Sequence, residues 1–282
     1  MSGILLEAAA RRGLPVPPLP HDAAVLGELA AEIFVLPSRE GRRMPREETY
    51  LESAQRFTIS TPAGELAAWQ WGPAAGPLVG LVHGWGGHGA QLGAFVGPLV
   101  TAGFRVLTFD APGHGDTPGN ETHVPLLART LVGIERTMGP FFALIGHSMG
   151  AAGAAMICTL GSQPRGLVLL APPLSQLERV TRVAGRLGLS DEVRAAFLAA
   201  VERRTAAKYP EVDLRVLARF APCPLLVFHD PADTDTSFAG SEEIVGLWTG
   251  SRLVPCPGRG HYRILATPDI VRQAAEFISG LR

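Results

Sequence analysis

The feature that most constrains this chain is a series of short apolar runs separated by longer, helix-patterned segments. "LVGLVH" (78–83), "FRVLTFD" (104–110), "FFALIG" (141–146), "GLVLLA" (166–171) and "PLLVFH" (224–229) read as strands, and "SRLVPC" (251–256) as a weaker one. A continuous apolar run has no face to give to water, so such strands must be covered on both sides. With helical patterns between most of them, the expected fold is α/β, a mostly parallel sheet with helices on both faces. "RFTIS" and "LAAWQW" read as an antiparallel hairpin joined by "TPAG", whose Pro and Gly are turn formers. A length of 282 residues with 46% apolar and 18% charged residues suits one α/β domain carrying an insertion.

Two segments fall outside that rhythm. Residues 1–56 form a helical N-terminal lead-in with a Pro-rich turn, "PVPPLP". Val25, Leu26, Leu29, Ile33 and Leu36 recur at helical spacing there, with Asp22 in place to cap the helix. The run is too short to span a bilayer and is interrupted by Glu28 and Glu32. Between Pro172 and Pro222 there is no strand pattern. Ser190 precedes Asp191 and Glu192, and Arg203, Arg204 and Lys208 follow in what reads as the last turns of the same helix. Val193, Ala196, Phe197, Ala200 and Val201 make its apolar stripe. The expected organisation is therefore a lead-in (1–56), a core (57–171 and 223–282) and a small helical lid inserted at 172–222.

One glycine loop admits two chemistries. Gly84, Gly86 and Gly89 satisfy G-x-G-x-x-G after a strand, and Asp110 ends the next strand 21 residues later, where a dinucleotide fold places the acid for a ribose. A nucleotide-dependent oxidoreductase is thus one reading. It leaves His83 and Trp85 without a role and asks a glycine- and proline-interrupted segment, "AQLGAFVGPLVTAG", to begin a helix cleanly. The other reading uses His83 and Gly84 as a turn that aims the backbone N–H of Trp85 at a developing oxyanion.

The second reading gains partners from "GHSMG". Gly146, His147, Ser148, Met149 and Gly150 follow a strand and precede a helix of small residues, the context a nucleophile elbow requires. With 33 glycines in the chain the motif alone is weak, so the rest of the sequence must support it. Gly146 and Gly150 leave room for a strained turn at Ser148, and the N–H of Met149 points at the same place. A serine hydroxyl needs a base. Of eight histidines, His261 stands in a glycine loop after the last strand, "PGRGHYRIL", while His229 ends a strand and reads as an anchor. The base needs an acid, and Asp230, Asp233 and Asp235 all follow "PLLVFH".

From about Arg56 to Arg282 the chain resembles the α/β-hydrolase superfamily, serine hydrolase and esterase type. "LVHGWGG" is similar to its oxyanion loop, "FDAPGHGDTPG" to its D-x-x-G-x-G loop, and "GHSMG" to its elbow. "HDPAD" is similar to its H-G-x-x-D acid segment, with Asp230 where the family usually has Gly, and "GRGH" to its histidine loop. The resemblance implies Ser148, Asp233 and His261 as a catalytic triad and Trp85 and Met149 as oxyanion donors. It implies hydrolysis of a carboxylic ester or thioester of a small molecule through an acyl-serine, with no metal or organic cofactor. Acyl transfer and C–C cleavage use the same machinery, and a non-catalytic binding protein is the other class on this fold. A serine at the elbow excludes the aspartate-dependent dehalogenase and epoxide hydrolase chemistry of the superfamily.

A formal net charge of −1 gives no electrostatic reason to expect nucleic acid. Cys158, Cys223 and Cys256 have neither metal-ligand spacing nor an even count, which points to a reduced, cytoplasmic setting. No secretory leader or transmembrane segment is expected. A homodimer is open.

Overall fold

A computed structural model describes residues 3–18, 21–37, 43–220 and 223–282. The end of the Pro-rich turn (19–20) and the end of the 172–222 segment (221–222) lie outside the described residues. Contacts divide the chain into two compact units, Met1–Leu36 with Ser175–Asp213, and Pro37–Leu174 with Leu214–Arg282.

The larger unit holds one eight-stranded sheet. Its strands are β1 (Gln55–Thr61), β2 (Gly64–Trp71), β3 (Leu78–Val82), β4 (Arg105–Phe109), β5 (Phe141–His147), β6 (Gly166–Leu170), β7 (Leu225–His229) and β8 (Ser251–Pro255). Their order is β1-β2-β4-β3-β5-β6-β7-β8. The hairpin β1–β2 is antiparallel and β2 joins β4 antiparallel, whereas every pair from β4 to β8 is parallel. All five residues of β3, β6 and β7 are buried, as double-sided coverage demands. The edge strand β8 mixes exposed and partly buried residues and has no fully buried one, which is why its sequence signal is weaker. Parallel pairing aligns the C-terminal ends of β3, β5, β7 and β8, so the loops after them open on one edge of the sheet.

The smaller unit is helical. Asp22 caps the helix Ala23–Val35 by accepting the Val25 N–H, and Ser190 caps Asp191–Thr205 by accepting that of Val193. The two helices pack on each other around Phe34, Phe197 and Tyr209, with the Phe34 ring edge-on to both others at 5.8 and 5.9 Å. Lys208 lies beyond its expected helix. Ala206 takes a left-handed conformation (φ 50°) and ends the helix at Thr205, and Lys208 turns back to pair with Glu202.

No described helix is long and apolar enough to cross a membrane.

Candidate active site

The elbow forms where β5 runs into the helix Met149–Met156. Ser148 sits between them at φ 51°, ψ −118°, a conformation that costs a non-glycine residue on the order of 1–3 kcal/mol. Its N–H is fixed to the carbonyl of Leu170 in the neighbouring strand, at 2.9 Å. The flanking glycines serve close approach. A Cβ on Gly146 would meet the Gly150 carbonyl oxygen at 2.5 Å, and one on Gly150 would meet that of Val82 at 2.3 Å. Side chains at either position would push the helix off the sheet and move the serine.

The loop after β3 lies beside the elbow: a Cβ on Gly84 would stand 3.0 Å from that of Ser148. His83 is fully buried, and its Nε2 accepts the N–H of Ala111 at 2.9 Å. The neutral ring therefore carries its proton on Nδ1 and donates it to the Gly84 carbonyl, 2.7 Å away. That carbonyl also accepts the N–H of Gly87. In a trans, planar peptide the N–H of Trp85 points opposite to this pinned carbonyl. His114, from the D-x-x-G-x-G loop, accepts the Gly86 N–H at 3.0 Å and ties the two loops together.

The same loop is not built for a dinucleotide. Gly89 opens a short 3₁₀ segment, Gly89–Phe95, and its N–H is taken by Asp110 Oδ1 at 2.7 Å. Asp110 is wholly buried, and its Oδ2 receives the N–H of Asp116 and the Arg43 guanidinium. The carboxylate that would meet a ribose is thus spent on joining loops, and the oxidoreductase reading falls.

The loops after β7 and β8 bring an acid to a histidine. His261 Nδ1 lies 2.8 Å from Asp233 Oδ2, so Nδ1 carries the proton and Nε2 keeps its lone pair. Asp233 Oδ1 accepts the N–H groups of Asp235 and Thr236 at 2.7 and 3.1 Å. Thr236 Oγ1 stands 3.2 Å from Oδ2, and the buried His229 Nε2 3.4 Å from it. His229 Nδ1 in turn meets Ser241 Oγ at 2.6 Å. Burial pushes the Asp233 carboxyl up. The hydrogen bonds from His229 and His261 outweigh it and hold the group well below the usual carboxylate range. Of the other two candidates, Asp235 is exposed, though a carboxylate oxygen comes within 4.8 Å of both Asp233 and His261. Asp230 bonds to backbone instead, accepting the N–H groups of Ala232 and Gly260.

His147 links the elbow to the histidine loop. Its Nε2–H donates to the His261 carbonyl at 2.9 Å, and the two rings lie 4.7 Å apart. Burial drives the His147 ring down to about 3, and the neighbouring His261 adds to the shift. Burial also holds His83 well below the ordinary histidine value. An unfolded histidine titrates at about 6.5, so between about 3 and 6.5 the unfolded chain binds more protons than the folded one. Stability therefore rises with pH across that window and is lost as pH falls through it. His147 alone is expected to lower stability by about 2 kcal/mol between pH 7 and pH 5. Denaturant unfolding at the two pH values measures this. His147→Gln, which keeps a donor for the His261 carbonyl and cannot titrate, should flatten the difference by that amount.

The sequence profile of the alpha/beta hydrolase family matches residues 81–274, more than half of the 282-residue chain. The chain belongs to the alpha/beta hydrolase family. It is 30% identical over 135 residues to a serine hydrolase-like protein of Danio rerio, covering 45% of this chain and 40% of that one. It is 54% identical over 43 residues to a pimeloyl-[acyl-carrier protein] methyl ester esterase of Methylococcus capsulatus, 15% of this chain and 16% of the other. The chain thus spans less than half the length of these curated relatives. The crystal structure of a hydrolase from Pseudomonas aeruginosa superposes with a TM-score of 0.63 at 23% identity, over 80% of this chain and 98% of that one. At that identity the likeness is one of fold.

In this alpha/beta hydrolase, Thr236 and Ser241 had no signal of their own in the sequence. Each is a small polar residue in a segment rich in them, and only the fold stacks them against Asp233 and His229. His229 could be found, because a histidine at the buried end of an apolar strand needs partners.

Proposed function

We propose that this alpha/beta hydrolase is a serine hydrolase that cleaves a carboxylic ester or thioester of a small molecule through an acyl-serine intermediate. The observation that carries the reading is the hydrogen bond between His261 Nδ1 and a buried Asp233, formed on the sheet edge that also carries a strained Ser148. Ser148 Oγ attacks the acyl carbon as His261 Nε2 takes its proton. Asp233 holds the tautomer that leaves Nε2 free and stabilises the imidazolium. The N–H groups of Trp85 and Met149, one on the pinned loop and one at the first residue of the helix, stabilise the tetrahedral oxyanion. The imidazolium returns the proton to the departing alcohol or thiol, and water then repeats the sequence on the acyl-serine. No step calls for a metal or an organic cofactor. The esterase among the relatives is in keeping with an ester substrate. Three free thiols are in keeping with a reducing, cytoplasmic setting.

An active-site fluorophosphonate should label one residue, Ser148, as read by peptide mass spectrometry. A panel of p-nitrophenyl esters, thioesters and β-diketones should show turnover of the first two. An unlabelled protein, or turnover of the diketones alone, would sink the ester reading.

A further inference from the structure

His261 stands in a single helical turn, Gly260–Arg263, that is entered from β8 through a short irregular loop. Gly258 (φ 75°), Arg259 (φ −94°, ψ −24°) and Gly260 (φ 58°) alternate left- and right-handed backbone, a pattern that turns successive N–H groups toward one point and makes an anion-binding concavity. The protein fills that concavity itself. Asp230, 2% exposed, sends Oδ2 to the N–H of Gly260 and Oδ1 to the N–H of Ala232, 2.9 Å away. One carboxylate therefore ties the turn that presents Asp233 to the loop that presents His261. On the other side of the same residue, the His261 carbonyl is held by His147. Arg263 grips the carbonyls of Gly258 and Arg259 as well, but from the exposed surface.

We propose that Asp230 is a positioning residue, a buried anion that docks the Gly258–Gly260 backbone and so sets where the His261 imidazole stands relative to Asp233 and Ser148. The inference rests on the serine hydrolase reading. Asp230 touches no reacting atom and acts through His261. The N–H of Gly260 foremost, then that of Ala232, lowers its carboxyl from the ordinary value, as expected of a group kept as the anion. An Asn there keeps one acceptor and turns an NH₂ toward a backbone donor.

Asp230→Asn is expected to lower kcat for p-nitrophenyl acetate, and the rate of fluorophosphonate labelling of Ser148, by about 10- to 100-fold, with KM within about twofold. The deciding measurement is a double-mutant cycle. In a His261→Ala background, Asp230→Asn should leave the residual rate unchanged, because the group it positions is gone. An equal loss in both backgrounds would mean that Asp230 supports the fold and would overturn the inference, as would a folded Asp230→Asn with wild-type kcat. If Asp230→Asn does not fold, Gly260→Ala takes its place. A Cβ at Gly260 meets nothing within 4 Å, so only the left-handed backbone is disfavoured. It should show the same fall in kcat at unchanged KM, and wild-type kcat would overturn the proposal. Labelling of the wild type separates the two claims. A wild type that does not label overturns the hydrolase reading and this inference with it, whereas one that labels alongside an unaffected Asp230→Asn overturns this inference alone.

Discussion

Ser148→Ala should reduce ester turnover on the order of 10⁴-fold or more while leaving thermal melting close to that of the wild type. The two halves of this result have separate causes. In the proposed mechanism the hydroxyl is the atom that forms the acyl bond, and no neighbour can replace it. On that proposal, His261 and Asp233 would be left as a base with nothing to deprotonate. Stability, by contrast, depends little on Oγ. The backbone of residue 148 is held by its N–H bond to Leu170 and by the close packing of Gly146 and Gly150, all of which alanine keeps. Alanine also keeps the strain at φ 51°, so neither relief nor added cost is expected. Turnover of p-nitrophenyl acetate and a melting curve on the same sample test both. Near wild-type turnover in a folded variant would remove Ser148 from the chemistry. A large drop in melting temperature would mean that the loss of activity reports unfolding.

The parts of this fold that were legible in the sequence are those with a local physical signature. Strands β3, β6 and β7 are buried on both faces, and a strand with no wet face must be written as an unbroken apolar run. The elbow was legible because two close approaches, Gly146 to the helix and Gly150 to β3, admit no side chain, which fixes glycines at that spacing. The strand order was not legible, since β3 lying between β4 and β5 depends on crossovers that the residues of β3 do not record. Nor was the grouping of Ala23–Val35 with Asp191–Thr205. Each helix shows an apolar stripe, but a stripe states that something is covered and not by what, and the two lie more than 150 residues apart. The same limit applied to Asp230. A carboxylate that follows a strand reads as a loop cap, and its bond to Ala232 is of that kind, whereas its bond to Gly260 spans 30 residues. Lys208 shows the reverse error, in which charge at helical spacing overran a helix that Ala206 had already ended.

Asp233→Asn should lower kcat by up to about 10⁴-fold, and more than the same change at Asp230 or Asp235. The position of one proton decides the effect. With a carboxylate at 233, Oδ2 accepts from His261 Nδ1–H at 2.8 Å, and the lone pair of the ring is left on Nε2, where the proposed mechanism sends the serine proton. An asparagine keeps Oδ1 for the N–H groups of Asp235 and Thr236, so it should sit in the same place. Its NH₂ then faces His261 Nδ1. Two donors cannot share that bond, and the ring moves its proton to Nε2, which leaves a donor where the proposed mechanism requires an acceptor. His229 makes the conflict worse, because its Nε2 also approaches Oδ2 and Ser241 lies against its other nitrogen. A flip that restored an acceptor toward His261 would turn the NH₂ onto the N–H groups of Asp235 and Thr236, so the amide has no easy escape. Asp235 is exposed, and Asp235→Asn should change kcat little. Asp230→Asn should fall between the two, since it disturbs where the ring stands and not which nitrogen bears the proton. Measuring kcat for the three variants on one ester tests the order. A mild Asp233→Asn beside a crippled Asp235→Asn would reassign the acid to Asp235, whose carboxylate is close enough to His261 to take the part if the loop shifted.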